Sequence, residues 1–294
     1  VPQKILTNSD LEKMVETSDE WIVSRTGIRE RHILDKGEMI TPLIVESAQM
    51  ACQKGNVKPE DLDFVVSATL TPDRISPAQS FDVAHHLQAN HAFCFDLNAA
   101  CSGFIYGLAM AESLLKTRPI KTGLVTAGEQ LTRMVDYTDR SSCVLFGDAT
   151  AAAILTNDHP EHLLLYTELG GDPTMANEVT IGGIRNLLDN QSSEFYFKQN
   201  GKAVFKFAVN KIKELYDTVP RKVGLKPEQI KYVIPHQANI RIIEAATKEV
   251  AHNTIVISNI ERYGNTSSAS VGVAFNESWD RFQKGDYVML MGFG

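Results

Sequence analysis

The chain has 294 residues, of which 43% are hydrophobic and 22% charged, enough for about two ordinary domains with a substantial core. That composition excludes disorder as the main state, and apolar runs such as Ala151–Leu155 fall far short of the roughly 18–20 residues of a spanning helix. A net charge of −7, from 29 basic and 36 acidic residues, argues against nucleic acid or an anionic membrane as the main partner.

No signal peptide is visible. The start at Val1, and the stop at Gly294 directly after an apolar strand, are what a sequence continuing at both ends would show. Cys52, Cys94, Cys101 and Cys143 form no C-x-x-C pair and have no His at zinc-ligand spacing, so structural zinc is not expected. Sparse cysteines in a chain of this length fit the reducing cytoplasm, as buried filler or reactive thiols.

Strand-like and helix-like segments alternate. Leu62–Leu70 is a near-continuous apolar run of the kind buried on both faces of a parallel sheet, and it ends in the turn signal Thr71-Pro72-Asp73. His91–Leu97 reads as a second strand, Ser102–Leu115 as a buried small-residue helix, and Leu124–Ala127 as a third strand. Val144–Leu155 closes a first half. Gly170–Asn200, rich in Gly, Asn, Asp and Ser, reads as an irregular insertion, either a lid or a surface connection. Lys231–Ile234 is then a strand, Ala238–Val250 a helix, Thr254–Ile257 a strand, Asn265–Phe275 a small-residue segment and Tyr287–Met291 the last strand.

Corresponding features are offset by 168 (Phe64 to Tyr232), 166 (Cys101 to Ser267) and 164 residues (Leu124 to Val288). A nearly constant offset predicts two copies of one α/β unit, residues 1–165 and 166–294, with clefts where strand ends meet.

Three turns carry candidate chemistry. Cys101 lies between a strand and a helix start, in Asn98-Ala99-Ala100-Cys101-Ser102-Gly103. A helix N-terminus there is expected to lower the thiol pKa, and small neighbours let a substrate approach the backbone. The local sequence equally admits an inert core cysteine. His236 follows a strand end in Pro235-His236-Gln237-Ala238-Asn239, where α/β proteins place ligands. Asn265, after Gly264, is either a turn residue or an amide donor aimed into the same cleft. The remaining histidines, His159 among them, read as surface residues.

The acidic average conceals a basic stretch. Residues 198–250 hold 11 Lys/Arg and 5 Asp/Glu, a local +6 against −13 elsewhere. An acidic partner, or an ordinary lysine-rich helix face, accounts for it.

With these residues in view, the sequence resembles β-ketoacyl-acyl-carrier-protein synthase III, a condensing enzyme of the thiolase-like group, over essentially its whole length. The resemblance rests on residues 17–31 (TSDEWIVSRTGIRER), the cysteine turn at 99–103, His236-Gln237-Ala238-Asn239, and Gly264-Asn265-Thr266-Ser267. It implies a thiolase-like fold of two pseudo-symmetric α/β halves in five α-β-α-β-α layers, and a homodimer. It makes Cys101 the acylated nucleophile, with His236 and Asn265 completing the triad. It places coenzyme A between Trp21 and Arg140, with Thr17 beside the adenine, Arg25 on the phosphates, and Gly201, Phe205 and Asn239 along the pantetheine tunnel. Phe146 borders the acyl pocket. Ser76, where the family often carries a large aromatic reaching into the partner's pocket, implies room for a longer or branched primer. Arg241 and nearby lysines would receive the acidic acyl carrier protein. Lys202, Lys206 and Lys213 share one helix face, as do Arg241 and Lys248 on the next helix.

The implied reaction joins a short acyl-CoA to malonyl carrier protein with loss of CO₂, without metal or redox cofactor. The family's remaining backbone oxyanion donor lies past Gly294, and Gly147-Asp148-Ala149-Thr150 replaces a glycine-richer run, a tolerated packing change. Polyketide or secondary-metabolite priming by the same triad is the nearest alternative. A non-catalytic carrier-protein-binding subunit fits less well, given the intact triad. A papain-type hydrolase places its Cys differently and leaves the other blocks without a role.

Overall fold

Two parallel sheets organise the chain, which a computed structural model describes over residues 1–158, 162–183 and 195–294. A hairpin of β1 (Lys4–Thr7) and β2 (Glu30–Ile33) brackets α1 (Asn8–Leu11) and α2 (Asp19–Thr26). After α3 (Thr41–Lys54), the first sheet has β3 (Phe64–Ala68) at its centre, between β4 (Phe93–Leu97) and β5 (Thr122–Glu129). β6 (Ala149–Thr156) adds to it antiparallel against β5. The connecting helices are α4 (Gln79–Leu87) and α5 (Gly103–Thr117).

A short ribbon, β7 (Val179–Thr180) with β8 (Lys198–Gln199), leads into α6 (Gly201–Lys222). The second sheet has β9 (Ile230–Pro235) at its centre, between β10 (Ile255–Val256) and β11 (Tyr287–Met291), both parallel to it. Its helices are α7 (Ile240–Thr247), α8 (Ile260–Tyr263) and α9 (Ala269–Glu277). The orders β4-β3-β5 and β10-β9-β11 are the same arrangement written twice: first strand central, second and third on either side.

The sheets are buried between helices because β3, β5 and β9 are apolar on both faces. α3 and α4 cover the outer face of the first sheet through Ile44, Ala48, Val65, Val83 and Leu124. α5 and α9 fill the middle through Phe104, Leu108, Val125, Ala151 and Ala269. α6 and α7 cover the second sheet through Ala208, Ile212, Val233, Ile242 and Met289. These are the five α-β-α-β-α layers of the implied architecture. Of the expected 170–200 insertion, the described part holds a short turn at Pro173–Met175 and the ribbon. Residues 184–194 and His159 lie outside the described residues. Among the described residues no helix is long and apolar enough to cross a membrane.

Candidate active site

In each half a turn ahead of a helix holds one non-glycine residue in the left-handed region. Ala100, at φ 45°, precedes Cys101 after β4, and Ser267, at φ 51°, follows Asn265 ahead of α9. Such conformations cost about 1–3 kcal/mol each and persist only where the surroundings over-determine them. Gly264, at φ 64° and ψ −158°, allows the second turn, since a Cβ there would lie 2.8 Å from the Leu145 carbonyl.

Asn265 is buried and fixed on three sides. Its N–H donates to Leu145 O at 2.8 Å, its carbonyl accepts from Gly147 N at 3.1 Å, and its Oδ1 accepts from Ser267 N at 2.8 Å. The side-chain NH₂ is thereby the free end of the amide. Phe146 bridges to Asn265 through its backbone, and its buried ring packs edge-on against Phe197 at 4.6 Å.

His236, also buried, follows β9. Its N–H donates to Met291 O at 2.7 Å, its Nδ1 lies 2.6 Å from Ser270 Oγ, and the Phe293 ring sits edge-on to it at 5.0 Å. The same terminal segment reaches Cys101: a Cβ on Gly294 would be 2.5 Å from the Cys101 N. The Ser267 hydroxyl is close enough to the Cys101 thiol to pull its pKa down. Cys101, His236 and Asn265 are therefore linked through shared neighbours.

The expected thiolate is not the resting form. Burial pushes the Cys101 thiol up to about 12, outweighing the Ser267 hydroxyl, and the Glu129 carboxylate raises it further. The turn at Ala100–Ser102 is a single 3₁₀ turn before α5, and its dipole does not offset desolvation. Burial also drives His236 down to about 3, so the ring is neutral.

The residues expected to hold coenzyme A gather around α2. Arg140 lies 4.6 Å from the Trp21 ring centroid and Arg25 lies 5.9 Å from it. Neither arginine is in an ion pair among the described residues, and Arg140 Nη1 donates to Glu16 O at 3.0 Å. The expected adenine sandwich is thus closed: a flat ring between two groups needs about 7 Å, twice the contact distance of about 3.5 Å. Thr17 Oγ1 is buried with no hydrogen-bond partner, a polar atom that a ligand would satisfy. Asn239 caps α7 through Arg241 N at 2.9 Å and donates to Arg25 O at 3.0 Å, tying α2 to α7. Gly201 and Phe205 lie exposed on the first turns of α6.

Ser76 is exposed, beside an Ile75 that is 76% exposed, and its expected place is in the pocket of a partner subunit. One expectation needs correction. Lys213 is not a free docking cation, because Glu249 pairs with it at 3.0 Å. Lys202, Lys206, Arg241 and Lys248 are exposed and enter no ion pair among the described residues.

Sequence reasoning missed Glu129, Ser267, Ser270, Phe197 and Phe293. Glu129 is fully buried at the end of β5. Its Oε1 accepts from Ser268 Oγ at 2.8 Å and Ser267 Oγ at 3.4 Å, and its Oε2 from Thr71 Oγ1 at 2.6 Å and Leu70 N at 3.3 Å. Burial, against these hydrogen bonds, raises its carboxyl to about 7.

Two α/β units whose turns ahead of helices carry Cys, His and Asn define a thiolase-like condensing enzyme. Comparison with known proteins narrows the class. Residues 95–173 match the 3-oxoacyl-[acyl-carrier-protein] synthase III model, and 221–294 match its C-terminal model. A beta-ketoacyl-[acyl-carrier-protein] synthase III of Caldanaerobacter subterraneus subsp. tengcongensis is 42% identical over 100% of this chain and 91% of its own length. The crystal structure of the Aquifex aeolicus 3-oxoacyl-[acyl-carrier-protein] synthase III superposes with TM-score 0.90 at 40% identity, covering 99% of this chain and 92% of that one. A priming β-ketosynthase from the R1128 polyketide pathway also superposes at 0.90, with 30% identity over 100% and 89%. The chain belongs to the β-ketoacyl-[acyl-carrier-protein] synthase III family.

Proposed function

We propose that the chain catalyses the initiating condensation of type II fatty acid synthesis: a short acyl-CoA, acetyl-CoA first, and malonyl-acyl carrier protein give 3-oxoacyl-acyl carrier protein, CO₂ and CoA. The observation that carries this reading is the shared setting of Cys101, His236 and Asn265, linked through Ser267 and the Met291–Gly294 segment.

Cys101 attacks the acyl thioester carbonyl, and CoA leaves as the acyl-enzyme forms. Malonyl carrier protein then enters and loses CO₂. The negative charge reaching its thioester oxygen meets His236 Nε2–H and the Asn265 NH₂. The carbanion attacks the acyl-enzyme and the product leaves. Decarboxylation supplies the carbanion, so neutral donors suffice and the chemistry requires no metal or redox cofactor.

The unpartnered Thr17 hydroxyl and the cations stacked on Trp21 support coenzyme A along α2, and from there past Asn239 toward Gly201 and Phe205. The free cations Lys202, Lys206, Arg241 and Lys248 support docking of the acidic carrier protein. The repeated strand order supports a division into residues 1–165 and 166–294. A homodimer is favoured by the open outer edge of β4, with Phe93 and Phe81 exposed near it, since unpaired apolar edges invite a second strand. In such a dimer Ser76 faces the partner's pocket, the place that the resemblance implies for it. Free cysteines support a cytoplasmic setting. The polyketide-priming relative is 30% identical, against 42% for the Caldanaerobacter synthase III, so fatty acid initiation is the preferred reading.

The test is mass spectrometry of the protein after acetyl-CoA, with condensation followed on malonyl carrier protein. Wild type is expected to gain an acetyl group that Cys101→Ala cannot take. Absence of both adduct and 3-oxoacyl product with every short acyl-CoA would overturn the proposal.

A further inference from the structure

The proposed mechanism leaves one proton unassigned. A buried thiol attacks a thioester only after its hydrogen is removed. His236 is poorly suited to take it, being held neutral by burial with its Nδ1 occupied by Ser270. On the other side of the thiol stands Ser267, and behind Ser267 stands the buried carboxylate of Glu129, a group the reaction above does not use.

The arrangement around that carboxylate is specific. Four donors converge on it from two segments far apart in sequence: Leu70 and Thr71 after β3, and Ser267 and Ser268 before α9. The residue linking it to the thiol is the strained one, Ser267, whose backbone N–H is pinned by Asn265 Oδ1. No cation pairs with Glu129 among the described residues. A carboxylate so placed is stabilised by hydroxyls, which can pass protons, rather than by a fixed positive charge.

We propose that Glu129, acting through the Ser267 hydroxyl, receives the Cys101 proton during acyl transfer. The proposal rests on the synthase reading above. As the sulfur lone pair forms the S–C bond to the acyl carbonyl carbon, the S–H proton passes to Ser267 Oγ and the Ser267 O–H proton passes to Glu129 Oε1. When the C–S bond to coenzyme A breaks, the proton returns by the same route, and CoA departs as the thiol. The transfer moves a negative charge within the buried site without creating a new one, and so avoids the cost of a second buried ion. The 3.4 Å span from Ser267 to Glu129 is long for a transferring bond, as such bonds commonly are before substrate binds. Glu129 is thus a positioning residue for the proton, and the division of labour is clear. Glu129 and Ser267 serve acylation, while His236 and Asn265 serve decarboxylation.

Other titratable groups sit on the elements packed against Glu129. Asp73 lies two residues after Thr71 and accepts from Ile40 N, Thr41 and Gln130. Asp148 adjoins Ala149, the β6 partner of Glu129, and accepts from Leu34 N and Thr132. Both have their own donors. Cys101 is the titratable group whose charge bears on Glu129 through Ser267.

The experiment separates the two half-reactions in E129Q, S267A and wild type. Acetyl adduct formation is followed by rapid quench and mass spectrometry from pH 5.5 to 8.5, and malonyl carrier protein decarboxylation by CO₂ release without acyl-CoA. Both variants are expected to form the adduct about 100-fold more slowly, with decarboxylation within about threefold of wild type, the scale of a lost proton acceptor. Wild-type acylation is expected to rise with pH to a plateau as the carboxyl deprotonates, and E129Q to lack that rise. S267A keeps the bonds of Glu129 to Thr71, Ser268 and Leu70, so it carries the test if E129Q does not fold. Adduct formation at the wild-type rate in S267A, or an equal fall in both half-reactions, would overturn the relay. Absence of an adduct in wild type would instead overturn the synthase reading itself.

Discussion

Ser270 Oγ lies 2.6 Å from Nδ1 of His236, and both side chains are buried. The same hydroxyl oxygen accepts the Gln237 N–H at 3.3 Å, and its own proton has no other acceptor among the described contacts. That proton therefore goes to Nδ1, which leaves the ring hydrogen on Nε2 as a donor. Ser270→Ala releases the tautomer. Condensation turnover is expected to fall about tenfold or more, part of the about 10²–10³ that losing an oxyanion donor costs. Acetyl adduct formation should persist. Equal loss of both steps would show that Ser270 is structural only.

His236 and Glu129 set opposing acid responses. His236, held near 3 by burial, cannot take the proton that the unfolded chain binds below its ordinary 6.5, so acidification from 6.5 destabilises the fold. Glu129, raised to about 7, holds a proton that the unfolded chain releases above 4.5, so its contribution grows as pH falls from 7 to 4.5. Between 4.5 and 6.5 the two slopes cancel. Glu129→Gln removes the compensating one, and stability relative to wild type should drop by about 1.4 kcal/mol per pH unit over that window. Urea midpoints measured at several pH values check this; parallel curves for the two proteins would refute it.

Arg140 covers the Trp21 face at 4.6 Å, so the proposed stacking of adenine on Trp21 requires its displacement. Titration with coenzyme A is expected to change Trp21 fluorescence in wild type. In Arg140→Ala the KM for acetyl-CoA should rise about 2- to 30-fold, the range of a lost cation–π contact, with turnover at saturation unchanged. An unaltered KM would place the nucleotide elsewhere.

Gly27 ends α2 at φ 80°, and a Cβ there would fall 2.7 Å from Cβ and Cγ2 of Ile240. Gly27→Ala should cost about 2 kcal/mol or more, from overpacking plus a left-handed alanine. Because this contact joins the Trp21 helix to the helix capped by Asn239, KM for acetyl-CoA should rise as well. A melting temperature within a degree of wild type would contradict the close packing.

Arg241 is exposed and free of ion pairs among the described residues, whereas Lys213 is held by Glu249. Arg241→Glu is expected to raise KM for malonyl carrier protein about tenfold and to flatten its salt dependence, while leaving acetyl adduct formation intact. Lys213→Glu should do much less. The reverse ranking would move the docking face.

Sequence periodicity captured the strands well because β3, β5, β9 and β11 are buried between helices, and continuous apolar runs mark such strands. Cys101, His236 and Asn265 were legible because each sits in a turn whose small or polar residues break an apolar run. Glu129 was not. It closes β5 in front of Gln130, where an acid reads as a solvated turn, and its donors arrive from positions 58 and 139 residues away. Ser270 read as one more small residue of a helix. The helix-dipole argument at Cys101 failed for a related reason: desolvation depends on how deep the turn lies, which local sequence does not encode.

The neighbours of His236 and Cys101 include Met291, Phe293 and Gly294, at the far end of the chain from the nucleophile. Ser268 reaches Ala68 O across 200 positions. Contacts of such separation form late, because the loop-closure entropy must be met first. On the ribosome the first half can fold around its own sheet while Cys101 still lacks Ser267, His236 and Asn265. Acylating competence is therefore acquired only once the second half has been made, and a half-made chain holds a cysteine without its chemistry.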